Sequence, residues 1–282
     1  MSTGTRSITV GIDGSPTSLD AADWAAREAR RRRLPLRLLH AGTGSAVSGR
    51  VPDVDVPAGR TRTALDRAAI QLSYAHPALD IIARRTGTPA VQALLAAAAD
   101  TETLVVGSRG STGFAGFEVG SVALAVTARA ARPVVVVRAG ELPEDERTPV
   151  TDGSPPDSAP YLPVVLGLDV DRLADDLIRY AFDTAAFRSA PLHVVHAWTR
   201  CDPYARAARG PRPEDTAERG DGEGRGLAGT LQPWRRRFPG TTVREHVVQG
   251  HPGPHLLRAS ARAACWSWGA RRAPARAAPC AR

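Results

Sequence analysis

One succession of residues occurs twice along this chain, and it restricts the fold more than any other feature. Ser7-Ile8-Thr9-Val10-Gly11-Ile12-Asp13 is an apolar, β-branched run that ends in a carboxylate, and Val164-Val165-Leu166-Gly167-Leu168-Asp169 repeats it. Pro35-Leu36-Arg37-Leu38-Leu39-His40-Ala41 returns as Pro191-Leu192-His193-Val194-Val195-His196-Ala197, and Gly87-Thr88-Pro89 as Gly250-His251-Pro252. Each apolar run has the length and composition of a buried strand. In the first copy the runs alternate with helical stretches. Ser18 to Arg33 carries an apolar face of Leu19, Ala22, Trp24, Ala25 and Ala29. A Gly/Ser/Pro-rich loop runs to about Gly59, a helix from about Arg60 to Ala75, and a third strand from Leu79 to Arg84. A further helix ends at Ala99, and Leu104–Val106 and Pro133–Val137 read as the fourth and fifth strands. Strand and helix in alternation imply right-handed crossovers, hence tandem α/β, doubly wound, Rossmann-like parallel five-stranded sheets.

Between the fourth strand and the next helix lies Gly107-Ser108-Arg109-Gly110-Ser111-Thr112-Gly113-Phe114-Ala115-Gly116-Phe117-Glu118-Val119-Gly120-Ser121-Val122. A glycine-rich loop that leaves a strand and opens a helix directs unpaired backbone N–H groups and the positive end of the helix dipole at one point. That arrangement suits a phosphate, and the Ser121 hydroxyl adds a donor. It is not a P-loop, which needs a lysine after its glycine turn; the chain contains no lysine.

The spacing Gly107-x2-Gly110-x9-Gly120-Ser121 resembles the ATP-binding signature of the universal stress protein family, and the internal duplication resembles that family's tandem-domain members. The resemblance implies a strand order of 3-2-1-4-5, with the first and fourth strands adjacent at the switch point where ligands bind. It implies that Asp13 holds the adenosine end of ATP, with Ile12 and the backbone at Ala41 around the base. Gly107, Gly110, Gly120, Ser121 and Val122 then surround the phosphates, which come with Mg²⁺. Arg109, between two motif glycines, faces either the phosphates or solvent. Asp13-Gly14-Ser15 is also ordinary turn chemistry, so a helix-capping role for Asp13 stands beside the binding role.

The second copy keeps Asp169 and Ala197 but has no counterparts of Gly107, Gly110, Gly120 and Ser121, so it is expected not to bind ATP. Where a fourth strand should follow, the chain reads Ala263-Ala264-Cys265-Trp266-Ser267-Trp268-Gly269 and then Arg, Ala and Pro. Back-translated with GC-rich codons, one added base after the fourth converts this to Ala-Asp-Leu-Leu-Val-Val-Gly, the sequence a fourth strand needs. A single-base deletion near Ala264 accounts for both the lost strand and the tail. The expected organisation is a nucleotide-binding domain over 1–140, a linker over 141–160 rich in Pro, Asp, Glu and Ser, a degenerate second domain over 161–264 and an out-of-frame tail over 265–282. The polar stretch Arg200–Gly229 is expected to be mobile.

All 37 basic residues are arginine and asparagine is absent, the pattern of a GC-rich coding sequence. The formal charge of +8 owes much to the acid-free segment after Glu245, and Arg30–Arg33 closes a helix, where cations oppose the dipole. The Arg30–Arg33 run does not interleave aromatic residues as a nucleic-acid platform does. Cys201, Cys265 and Cys280 lack paired or metal-type spacing, and Met1–Ser7 is too short and polar for a signal peptide, so a cytoplasmic protein is expected. The leading reading is an ATP-binding sensor of the stress response with one competent site in its first half. A slow ATP hydrolase or autophosphorylating enzyme of the same fold is the alternative, and an interaction module with an empty site a third. A homodimer through the Val134–Val137 edge is expected, because the second copy lacks the fifth strand that would pair with it.

Overall fold

The computed structural model describes residues 6–42, 47–50, 63–108, 120–140, 142–149, 155, 158–171, 175–199, 213–260 and 265–268. The chain divides into two compact units, the division falling between Glu141 and Leu142 among the described residues.

In the first unit β1 (Ile8–Gly11) leads through α1 (Pro16–Arg32) to β2 (Leu36–Ala41) and β3 (Val47–Arg50), then through α2 (Ala64–Ala75) to β4 (Ile81–Thr86). α3 (Ala90–Ala99), β5 (Thr103–Gly107), α4 (Ser121–Thr127) and β6 (Val134–Val137) complete it. The sheet order is β3-β4-β2-β1-β5-β6, and every pairing except β3 with β4 is parallel. The five parallel strands therefore run 3-2-1-4-5 as expected. β3 lies inside the stretch read as loop: its backbone pairs antiparallel with Ile82–Arg85, covering an edge of β4 that would otherwise leave its hydrogen-bonding groups unpaired.

Both faces of this sheet are buried. Ile8, Val10, Leu36 and Leu38 pack with Trp24 and Ala25 of α1 and Leu65 and Leu72 of α2. Leu39, Leu104 and Val106 pack on the other side with Leu94 of α3 and Val126 of α4. Local chemistry sets the helix ends. Ser15 caps α1 by accepting from the Ser18 N–H at 3.2 Å, with Pro16 in the first turn. A reciprocal capping box between Thr63 and Asp66 starts α2 four residues later than the composition suggests. Within the Arg30–Arg33 run, Arg32 bonds the fully buried Glu28 at 2.5 Å and reaches Glu102 at 3.4 Å, so this arginine anchors a helix rather than facing a partner.

The second unit contains β7 (Val164–Gly167), α5 (Asp175–Arg188), β8 (Leu192–Trp198), α6 (Pro213–Arg237), β9 (Val243–Gln249), α7 (Pro252–Ser260) and β10 (Cys265–Trp268). Its sheet order, β10-β7-β8-β9, repeats the first unit's central four strands. Two expectations are corrected here. Residues 213–229 belong to a 25-residue helix, because Leu227 and Leu231 are fully buried against Phe182, with Trp234 and Phe238 beside them. Tertiary packing outweighs five glycines and Pro233, each unfavourable in a helix. The second correction concerns the fourth strand, which the sequence reads as lost: Cys265–Trp268 pairs in parallel with Val164–Gly167. A strand ladder is made by backbone groups, so the edge of β7 accepts an extended segment whatever side chains it carries. Within 142–162, the Glu146 carboxylate is buried 3.5 Å from Arg188, and Arg147 stacks 4.1 Å over the Tyr161 ring.

Leu231→Ala is expected to destabilise the second unit by about 2–5 kcal/mol. Urea unfolding followed by tryptophan fluorescence checks this, as an earlier transition for that unit alone.

Candidate functional site

β1, β2 and β5 are parallel, so their C-terminal ends lie along one edge of the first unit's sheet. β1 separates the two directions in which the chain winds, and the crevice beyond β1 and β5 is the switch point. The register Val10 to Val105 brings the residues after β1 beside Gly107. α4 opens with Gly120 and Ser121 at this same edge.

Asp13 sits just past β1 in the turn to α1. Its Oδ1 accepts from the Ser15 N–H at 2.9 Å and from the Ser15 hydroxyl at 2.6 Å. The Ser18 hydroxyl donates to the Ser15 carbonyl at 2.8 Å and accepts from the Gly14 N–H at 3.2 Å, and Gly14 takes φ +90°. The aspartate is thus held in place by a turn built from its own neighbours. Burial acts to raise its pKa, but the hydrogen bonds from Ser15 and Ser18 outweigh it and leave the carboxyl below 3.8. Because the folded value lies below the unfolded one, the stability this group contributes is complete above the unfolded value. It is lost as the pH falls through the lower, folded value. At neutral pH Asp13 is an anionic acceptor in the turn that follows β1.

Gly107 has a packing reason to be glycine. A Cβ there would lie 2.5 Å from the Thr17 carbonyl oxygen and 2.8 Å from its carbonyl carbon. The end of β5 therefore approaches the backbone of α1's first turn more closely than any side chain permits. Beyond it, the Ser108 N–H donates to the Val137 carbonyl at 2.8 Å. At α4, Gly120 is the N-cap and supplies no side-chain hydrogen bond, and the first backbone bond of the helix runs from the Leu124 N–H to the Gly120 carbonyl. The Ser121 hydroxyl and the first-turn N–H groups have no partner among the described residues, a donor set of the kind that binds anions. Arg109 and Gly110 lie outside the described residues.

At the other end of the crevice, Ile12 is buried, and its N–H donates to the Leu39 carbonyl at 2.8 Å. Its own carbonyl accepts from the His40 Nδ1 at 2.7 Å. Ala41 ends β2 beside it. Of the sequence-predicted residues, Ile12, Asp13, Ala41, Gly107, Gly120, Ser121 and Val122 thus lie on the described edge. His40 was missed. The signal was its recurrence as His196 at the same point of the repeat, where it again bonds a carbonyl, that of Leu168, at 2.9 Å.

A model described as the universal stress protein family matches residues 4–138 and 160–266. Universal stress protein Rv2623 of Mycobacterium tuberculosis is 31% identical over 273 residues, which cover 92% of this chain and 85% of that protein. Universal stress protein Rv1996 of the same species is 29% identical over 277 residues, covering 89% and 81%. Among solved structures, a universal stress protein from Archaeoglobus fulgidus shares the fold over 90% of this chain and 82% of its own, with a TM-score of 0.51 and 16% identity.

Gly107→Ala is expected to cost the first unit about 1–3 kcal/mol, since the added methyl must push β5 away from α1. Thermal melting of this unit, in the absence of any nucleotide, checks it.

Proposed function

The chain belongs to the universal stress protein family, and on that premise we propose that it is an ATP-binding regulatory protein with one competent site, in its first unit. The observation that carries this reading is the coincidence at the switch point of Asp13, Gly107 and the uncapped start of α4 with the intact spacing Gly107-x2-Gly110-x9-Gly120-Ser121. Asp13, ionised at neutral pH, accepts from ribose hydroxyls. The Ala41 backbone meets the base, and Gly110, Gly120, Ser121 and Val122 hold the phosphates, with Arg109 between them. Magnesium comes with the phosphate oxygens, its preferred ligands. Nucleotide held at this site alters what the protein associates with. Three cysteines without paired spacing suit a reducing, cytoplasmic setting.

The second unit shares the carbonyl-bonded histidine and a turn aspartate, Asp169, whose Oδ1 accepts from the Asp171 N–H at 3.1 Å. It lacks the glycine motif and is assigned no nucleotide.

Association is proposed through β6, which ends the first unit's sheet. The Leu104 N–H donates to Pro133 and the Ser108 N–H to Val137, so the odd-numbered residues of β6 face β5. The outward donors are the N–H groups of Val134 and Val136. A second copy adding its own β6 there pairs those groups and buries valine side chains at about 25 cal/mol per Å² before association entropy is subtracted.

Gly120→Val is expected to abolish ATP binding by calorimetry while leaving the unit folded, because a β-branched side chain blocks backbone approach to a phosphate. Asp13→Ala weakens ATP about tenfold and leaves competition by inorganic triphosphate unchanged; equal losses would contradict a nucleoside-side role. Turnover followed in the same titration separates a binder from a slow hydrolase.

Light scattering on the whole chain is expected to give a dimer at micromolar concentration. Val136→Pro, which removes an outward donor from an edge strand, yields monomer.

A further inference from the structure

β1 and β2 depart from an ordinary parallel ladder at the point where the nucleoside is proposed to bind. The Leu36 N–H donates to Asp80 and the Gly42 N–H to Thr86, so even-numbered residues of β2 bond β4 and odd-numbered ones turn toward β1. The Ile12 N–H donates to the Leu39 carbonyl. The next bond of a regular parallel ladder would run from the Ala41 N–H to the Ile12 carbonyl. Instead the His40 Nδ1 takes that carbonyl at 2.7 Å. Its partner is a carbonyl oxygen, so Nδ1 carries the proton. The Ala41 N–H then has no hydrogen-bond partner among the described residues. The ring has room because residue 42 is glycine: a Cβ there would lie 3.0 Å from the His40 Nε2. The second unit repeats the device. The Leu168 N–H donates to Val195, the Leu168 carbonyl accepts from the His196 Nδ1, and histidine and carbonyl are 28 residues apart in both units.

We propose that His40 is a positioning residue for the nucleoside: by occupying the Ile12 carbonyl it releases the Ala41 N–H from the sheet and presents it as a donor to the base. The ligand feature read is a ring-nitrogen acceptor on the Watson–Crick edge of a purine, such as the N1 of adenine. This role rests on the nucleotide-binding reading above. A backbone donor freed by a side chain is rigid at both ends, since Ile12 is buried and Ala41 still belongs to the ladder with β4. Without the histidine the ladder has a partner ready: the Ile12 carbonyl and Ala41 N–H close on each other, and the base loses its donor.

The experiment compares the full-length chain with His40→Leu and His40→Asn, the amide of asparagine standing where Nδ1 stands. Amide hydrogen exchange at Ala41 is read with and without ATP, and affinities are measured by calorimetry with ATP and with inorganic triphosphate. In the unsubstituted chain the Ala41 amide is expected to exchange readily without nucleotide and to slow when ATP is added. In His40→Leu it is protected from the start, ATP binds about tenfold more weakly, and triphosphate competition is unchanged. His40→Asn restores the open amide and brings ATP affinity to within about threefold. His196→Leu leaves ATP binding as it was. A protected Ala41 amide in the ligand-free chain, or equal ATP affinity in His40→Leu, overturns the inference. An Ala41 amide that exchanges readily without nucleotide, in a chain that binds no ATP, overturns the nucleotide reading, and the role of His40 toward a base with it.

Discussion

The first unit depends on one backbone-to-backbone approach. β5 ends so close to the first turn of α1 that a single methyl at Gly107 would stand 2.5 Å from the Thr17 carbonyl. Only the residue without a Cβ allows a strand end and a helix start to meet this way. That meeting fixes how the end of β5 stands against α1, which begins in the turn that holds Asp13. The same turn is tied by Ser15 and Ser18, so the aspartate's position follows from helix capping before any ligand is considered. The helix-capping role expected of Asp13 falls to Ser15 instead: Asp13 Oδ1 serves the turn by accepting from Ser15, and its negative charge remains.

A buried carbonyl must find a donor, and its choice decides which other groups stay free. Ile12 and Leu168 each find a histidine rather than the next amide of the neighbouring strand. The two units then diverge at the outer ring nitrogen. His196 Nε2 meets the Glu223 carboxylate of α6 at 3.1 Å, whereas His40 Nε2 has no partner among the described residues. In the second unit α6 also supplies Leu227 and Leu231 to the core, so this helix both completes the packing and approaches the strand end.

The two copies separate what a fold needs from what a phosphate site needs. The second unit assembles four parallel strands around a core of Val164, Leu166, Phe182, Leu192 and Leu231 without any glycine motif. Its fourth strand is Cys-Trp-Ser-Trp, held through backbone pairing with β7. Packing tolerates such replacement because apolar burial is non-directional and ladders use only main-chain groups. A phosphate cradle does not, because it needs backbone N–H groups at set positions, and those need glycines at set spacing.

What the sequence determined by itself were the features whose causes are local in the chain. The duplication, the strand and helix alternation, the 3-2-1-4-5 order that follows from the family resemblance, and the spacing Gly107 to Ser121 were all legible, since periodicity and turn residues act over a few positions. The edge strand β3, the helical state of 213–229 and the pairing of Cys265–Trp268 were not. Each forms because a partner elsewhere offers unpaired groups or an apolar surface, and no local propensity encodes that partner. The site divides the same way. Asp13 and the glycines could be listed from their neighbours, but the reason Gly107 must be glycine lies in Thr17, 90 positions away. The role of His40 lies in a carbonyl 28 residues before it. Tertiary structure alone decides such things, because a hydrogen bond or a close approach is a property of two places in the chain at once.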